Sequence, residues 1–228
     1  DHVLVFLLSV HRENLAGLRG VAVGRLQHLD LPPGVTMGYR SSMPIIELKL
    51  TGPSEHREAM LALWPEVQKV AGESLIFEGT EGLPAQLARV LKEKQLSLTL
   101  SEQFTGGLLA LQLSRVNAPL LASEVIPAQE ETLAQSARWA AERREKHFAG
   151  LALAVSGQES DHLNFALSTP DGTHALRVKF ATNRHSVQVR QEVCAMMALN
   201  MLRRWFNEQD IASEHGWIDV VESLTLPS

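Results

Sequence analysis

The sequence predicts an α/β fold, a three-layer sheet with flanking helices, preceded by a small α+β domain. Helical and strand patterns alternate from residue 83 onward, which is typical of helices packed on a largely parallel sheet. Before that point, apolar and polar residues alternate over residues 45–50, the period of a half-buried strand. Gly79-Thr80-Glu81-Gly82 separates the two patterns and indicates a hinge. We therefore predict domains over residues 1–80 and 81–208 and a polar, acidic tail over residues 209–228.

The first domain contains two helical and four strand patterns. A glycine-interrupted helix is predicted over residues 12–29, and a turn over residues 31–34. Pro53 and Ser54 begin a second helix, which Gly72 ends. The strands are predicted over residues 3–10, 35–40, 45–50 and 75–77.

The second domain has the denser alternation of elements. Its last helix is apolar on nearly every side, so we expect it to lie in the core. Pro170-Asp171-Gly172-Thr173 predicts the turn of a hairpin. Helices are predicted over residues 83–94, 108–114, 129–148 and 185–206, and strands over residues 96–100, 120–126, 151–155, 163–167 and 175–180.

The composition narrows the setting of the protein. The 228 residues are 45% hydrophobic, which is enough for a core, and the formal net charge is -5. This charge gives no general attraction to nucleic acid or to anionic membranes, and the apolar run near residue 3 is too short to span a bilayer. The single cysteine, Cys194, excludes an intrachain disulfide, so we predict a cytoplasmic protein. Because the chain opens with Asp1 rather than Met, we expect it to belong to a larger protein.

The most specific local feature is the strand-turn-helix pattern Ser101-Glu102-Gln103-Phe104-Thr105-Gly106-Gly107. Thr105, Gly106 and Gly107 lie at a helix start, where free backbone N–H groups favour an anion. An alternative interpretation makes Thr105 the helix N-cap and the glycines a means of close packing. Taken alone, the pattern favours the N-cap interpretation.

This segment resembles the A-E-S-C-T-G-G signature of the C-terminal domain of the CinA family. The resemblance extends over about residues 82–206, and includes residues 151–157 and 180–184. It implies a domain related to those that deamidate nicotinamide mononucleotide (NMN), without a cofactor. The first ~80 residues resemble the KH-type domain found in such proteins, and the family resemblance implies a homo-oligomer.

Three positions depart from the catalytic pattern of the family. The family's serine nucleophile falls on Gln103, its tyrosine on Pro127 and its lysine on Thr132. A carboxamide is not a nucleophile, and a threonine cannot serve as the base that a lysine supplies. We therefore predict a degenerate, catalytically inactive amidohydrolase domain that still binds a small nucleotide. The resemblance implies that its ligand-facing residues are Thr105, Gly106, Gly107 and Arg184.

Two other functions remain open at this stage. The chain is an active NMN deamidase if Ser101 or Thr105 serves as a displaced nucleophile, although no lysine or histidine occupies the partner position. Gly17-Leu18-Arg19-Gly20 matches the G-x-x-G of KH domains, which would make the first domain an RNA-binding module. We do not expect nucleic acid binding, because few cations lie nearby. We also expect no metal site, because the nine histidines fall in no metal-binding motif.

Overall fold

A computed structural model describes residues 3–11, 29–42, 45–72, 75–157, 162–181, 185–212 and 218–228. The chain divides into two compact units, Asp1–Gly82 and Leu83–Ser228. Each unit has its own sheet, with four strands in the first and six in the second. The helix predicted over residues 12–29 falls almost entirely outside the described residues, as do Gly17, Arg19 and Gly20.

The first unit is an antiparallel sheet with strand order β2-β3-β1-β4. A short 3-10 turn, Ser54–His56, leads into helix α1 (Arg57–Ala71), which contacts β1 and β3. The turn predicted at residues 31–34 is confirmed by a 2.9 Å hydrogen bond from the Val35 N–H to the Pro32 carbonyl. The strands are β1 (Val3–His11), β2 (Thr36–Ser42), β3 (Ile45–Pro53) and β4 (Leu75–Glu78).

The alternation in β3 explains the core of this unit. The apolar side chains of β3 point inward and pack against one side of α1, whereas Lys49 is exposed. Helix α1 ends at Gly72, as predicted, where the backbone adopts a positive φ of 49°. The buried cluster contains Val35, Ile46, Leu48, Leu50, Met60, Trp64, Val67 and Ala71.

The second unit is a mixed sheet with strand order β10-β9-β8-β7-β5-β6. Strand β5 pairs in parallel with β6 and with β7, and the remaining neighbours are antiparallel. The strands are β5 (Leu98–Glu102), β6 (Leu120–Val125), β7 (Leu151–Gly157), β8 (Leu163–Thr169), β9 (Gly172–Phe180) and β10 (Ile218–Pro227).

Helices cover this sheet, as the sequence predicts. Every residue of β7 and β8 is buried, so both faces of the central strands are covered. One helix packs small alanines against Ala154, Ala166 and Ala175 on one face, and the long final helix contacts β7 and β8. The helices are α2 (Leu83–Glu93), α3 (Leu108–Arg115), α4 (Leu133–Lys146) and α5 (Val187–Phe206). In the described part of the chain, no helix is long and apolar enough to cross a membrane.

The prediction of a polar tail over residues 209–228 is wrong for the second half of that range, because Ile218–Pro227 forms the edge strand β10 beside β9. Ile218 is buried, and Leu224 and Leu226 pack against the alanine cluster beneath α4. A register shift between Val220 and Glu222 interrupts the alternation of apolar residues. Because of that interruption, the sequence pattern does not predict the strand.

Candidate functional site

Gln103 directly follows the innermost parallel strand of the second sheet. All five residues of β5 are buried, and β5 lies between β6 and β7, one strand in from the edge of the sheet. Gln103 is itself only 4% exposed, and its backbone N–H donates a 2.9 Å hydrogen bond to the Val155 carbonyl at the end of β7. The residue at the predicted nucleophile position is therefore fixed by the sheet.

Both polar atoms of the Gln103 side chain are engaged. Its Oε1 accepts hydrogen bonds from the backbone N–H groups of Gly157 at 3.0 Å and Gln129 at 3.3 Å. Its Nε2 donates to Glu131 Oε1 at 2.9 Å. The carboxamide thus joins the ends of β5 and β7 to the segment that precedes α4. This is a structural use of the side chain, and it requires both a donor and an acceptor.

Glu131 extends this contact into a buried polar cluster. Its Oε2 accepts a 3.2 Å hydrogen bond from Ser136 Oγ, and Ser136 Oγ also contacts Ser156 Oγ. Asn164 Nδ2 donates to Ser136 Oγ at 2.9 Å and to the Glu131 carbonyl at 3.0 Å. We call these residues the Gln103 network: Gln103, Glu131, Ser136, Ser156 and Asn164.

The other two departures from the family pattern lie in the segment between β6 and α4. Pro127 is exposed and offers no hydroxyl. Thr132 caps α4: its Oγ1 accepts from the Gln135 N–H at 3.1 Å, and its own N–H donates to Gln135 Oε1 at 2.8 Å. This reciprocal pair is a capping box, and it starts α4 at Leu133 rather than at the predicted residue 129.

The start of α3 is capped by a residue that sequence reasoning missed. Glu102, which is 0% exposed, accepts hydrogen bonds from the N–H groups of Leu109 at 2.9 Å and Ala110 at 3.1 Å. The N-cap interpretation of Thr105 is wrong, because Gly107 occupies the N-cap position. In the described part of the chain, the buried Thr105 Oγ1 has no hydrogen-bond partner. An acidic residue just before the turn was the available signal for the cap.

The two glycines of the motif turn the chain between β5 and α3. Gly106 has a φ of 61° and Gly107 a φ of 94°, values that favour glycine. Gly106 is exposed, and a Cβ placed there would lie 3.7 Å from Gln191 Nε2. The ligand role of Thr105, Gly106 and Gly107 stays a prediction, and Arg184 lies outside the described residues.

Ser101 belongs to a different group of contacts from Gln103. Its Oγ donates to Glu124 Oε1 at 2.9 Å. The same oxygen forms an ion pair with Arg143 Nε at 2.6 Å and accepts a hydrogen bond from Trp139 Nε1 at 3.1 Å. A carboxylate is a much weaker base than a lysine amine, and these two donors occupy the oxygen that Ser101 contacts. Glu124 is thus the one acceptor beside Ser101 Oγ that the structure describes, and Ser101 shares it with Arg143 and Trp139.

The predicted site residues therefore form one local group and one separate contact. Gln103, Thr105, Gly106 and Gly107 share the turn after β5, whereas Ser101 faces β6 and α4. Across the residues described here, no hydrogen bond joins a serine to a lysine, and no group of three or more His, Cys, Asp or Glu could hold a metal. Cys194 is buried within α5.

The fold and these contacts define a mixed α/β protein with a hydrogen-bonded polar network where its central parallel strand ends. Over 201 residues, the chain is 75% identical to a CinA-like protein of Escherichia coli strain SMS-3-5, and 76% identical to one of Shigella flexneri. A relative from Escherichia coli K12, also 75% identical over 201 residues, is named NMN amidohydrolase-like protein YfaY. The matches cover 88% of this chain and 50% of each relative. The matched 201 residues are therefore similar to about half of each of these CinA-like relatives.

The chain spans about half the length of the curated relatives that it matches. No protein-family profile matches it. Among solved structures, a competence or damage-inducible protein from Enterobacter asburiae is 20% identical with a TM-score of 0.47, over 53% of this chain and 93% of that one. A CinA superfamily protein from Escherichia coli is 19% identical with a TM-score of 0.47, over 57% of this chain and 95% of that one.

Proposed function

We propose that this chain is a CinA-like protein whose NMN amidohydrolase domain no longer catalyses and retains a binding site for a small nucleotide. The observation that carries the proposal is the state of Gln103. Its carboxamide stands at the position of the family's serine, is buried, and is held by Gly157, Gln129 and Glu131. A carboxamide held in this way does not attack a carbonyl carbon, and it does not move aside to let a water molecule act as the nucleophile.

Amide hydrolysis by covalent catalysis needs a nucleophile and a base that removes its proton. Neither function has a substitute at the three family positions. Gln103 has no hydroxyl, Pro127 has no ionisable group, and the Thr132 hydroxyl is used to cap α4. Removing a nucleophile alone costs several orders of magnitude in rate, so the combined replacement supports an inactive site.

The nucleotide-binding part of the proposal rests on the turn at residues 105–107 and on the family resemblance. Gly106 is exposed and carries no side chain, so a ligand has access to the backbone there. Glu102 already occupies the N–H groups of Leu109 and Ala110, so a phosphate at this turn would need a further cation. We assign that role to Arg184.

The test is ammonia release from NMN by the purified 228-residue chain, with NMN binding measured in parallel by calorimetry. The proposal predicts saturable binding without ammonia above the buffer rate. Robust turnover would contradict the inactive state, whereas the absence of any binding would contradict the retained nucleotide site.

A second candidate function is an active NMN deamidase that uses a displaced serine. One observation favours it: Ser101 Oγ donates to a carboxylate, Glu124, two residues from the family's nucleophile position. If ammonia is released, Ser101→Ala should abolish it under this alternative, and Thr105→Ala provides the second displaced-hydroxyl test. Turnover that survives both substitutions would exclude this mechanism.

A further inference from the structure

A cavity of about 200 Å³ lies between β5, β6 and the last turns of α4, away from the Gln103 network. We propose that this cavity, which we call the β6 cavity, binds a small oxyanion, either free phosphate or a phosphate monoester. The residues that carry the argument line it: Thr99, Ser101, Glu124, Arg143, Lys146 and His147. The proposal does not rest on the proposed function, because none of these residues belongs to the Gln103 network.

The packing of α4 explains why a space exists here. Its small buried residues, Ala137 and Ala140, rest on the alanines of β7, β8 and β9. Strand β6 lies beyond them at the edge of the sheet, and its inward-facing Ala122 and Glu124 are only partly buried. The helix therefore covers the middle of this face and leaves the β5–β6 margin open beside its C-terminal turns.

The charges in the β6 cavity favour an anion. Arg143 and Lys146 bring two positive charges. Glu124 brings one negative charge, which Arg143 Nε pairs at 2.6 Å. In the part of the chain that the structure describes, this Nε contact is the only side-chain ion pair of Arg143. The two terminal nitrogens of a guanidinium can donate two parallel hydrogen bonds to an oxyanion.

The second observation is a buried hydroxyl without a partner. Thr99 is 2% exposed and lines the cavity, and its Oγ1 forms no hydrogen bond with any described residue. Buried polar atoms in folded proteins are almost always hydrogen-bonded, so an orphaned one calls for a partner. An oxyanion oxygen in the cavity would accept the Thr99 hydrogen, while Ser101 remains committed to Glu124.

The test is a titration of the full chain with inorganic phosphate, followed by backbone amide NMR. We expect saturable shifts at residues 99–101 and 143–147. Lys146→Gln should weaken phosphate binding about tenfold, the value of one charge-assisted contact. The matched control is Arg138→Gln, which removes the same charge from an exposed position on the same helix outside the cavity and should leave the affinity unchanged. Equal loss in both variants would overturn the proposal, as would a titration without saturable shifts at these residues.

A substitution of opposite sign makes the test sharper. Glu124→Gln keeps the shape of the side chain and removes the negative charge, so phosphate should bind roughly threefold to tenfold more tightly. Weaker binding by a folded Glu124→Gln variant would contradict the proposal. If that variant does not fold, the comparison of Lys146 with Arg138 decides. A titration with ribose 5-phosphate separates the two ligand sources. If ribose 5-phosphate binds more tightly than inorganic phosphate, the cavity is a phosphate monoester site. If ribose 5-phosphate does not bind, the cavity is a site for free phosphate.

Discussion

Gln103 Nε2 lies 2.9 Å from Glu131 Oε1, and this hydrogen bond joins the end of β5 to the segment before α4. On the other side of the same carboxamide, Oε1 accepts from the Gly157 N–H at the end of β7. A serine side chain is two bonds shorter than a glutamine side chain and has no amide group that donates and accepts at once. Gln103 therefore has a structural role of its own.

The first prediction concerns the stability that this carboxamide supplies. Gln103→Ala leaves the buried Gly157 N–H without its acceptor and removes one of two donors to Glu131 Oε1, which should lower the free energy of unfolding of the second unit by about 1–3 kcal/mol. The matched control is Gln129→Ala, which removes an exposed amide bonded to the same Glu131 oxygen and should cost less than about 0.5 kcal/mol. Urea unfolding measures both, and equal losses would refute a special role for Gln103.

The second prediction concerns the cap of α3. Glu102→Ala leaves the N–H groups of Leu109 and Ala110 without a hydrogen-bond acceptor. We therefore expect the free energy of unfolding of the second unit to fall by about 1–3 kcal/mol. Thr105→Val removes a buried hydroxyl that has no partner among the described residues and keeps the side chain's shape, so stability should hold or rise. Thermal melts compare the two variants. A larger loss of stability in Thr105→Val than in Glu102→Ala would indicate that Thr105, and not Glu102, caps α3.

The third prediction concerns the start of α4. Thr132→Ala removes the acceptor for the Gln135 N–H and should destabilise the second unit by about 1 kcal/mol. Thr132→Ser retains the hydroxyl and should keep most of the stability. If the alanine and serine variants unfold at the same denaturant concentration, the capping box contributes nothing and Thr132 is free for another use.

Much of the fold could be predicted from local patterns. The alternation in β3, the glycine that ends α1 and the hairpin turn between β8 and β9 are all short-range signals, and the structure confirms them. Strand β10 was missed, because its register shift near Val220 breaks the period of two and its outward residues are mostly polar. A sequence pattern does not show a strand whose period is interrupted.

The contacts of the candidate site were harder to predict for a related reason. The partners of Gln103 lie 28 and 54 residues away, at Glu131 and Gly157. Only the strand order, which places β7 beside β5, brings Gly157 next to Gln103. Glu102 caps a helix seven residues further on, and this depends on the positive φ of the two intervening glycines. The sequence predicted where the candidate site lies and left these contacts undetermined.

The fourth prediction restores the family's residues. Gln103→Ser, Pro127→Tyr and Thr132→Lys together restore a nucleophile, a phenol and a base at the three family positions, at a cost of about 2–4 kcal/mol for the lost carboxamide contacts and the lost cap of α4. The combined variant should fold and release ammonia from NMN. Gln103→Ser alone should remain inactive, because a lone serine has no base to remove its proton.

The central claim is that these three replacements abolish hydrolysis, and it is tested most directly by ammonia release from NMN with the unmodified chain and the triple variant side by side. We predict that the unmodified chain stays at the buffer rate while the triple variant exceeds it at every NMN concentration tested. Turnover by the unmodified chain that equals or surpasses that of the folded triple variant would contradict the account.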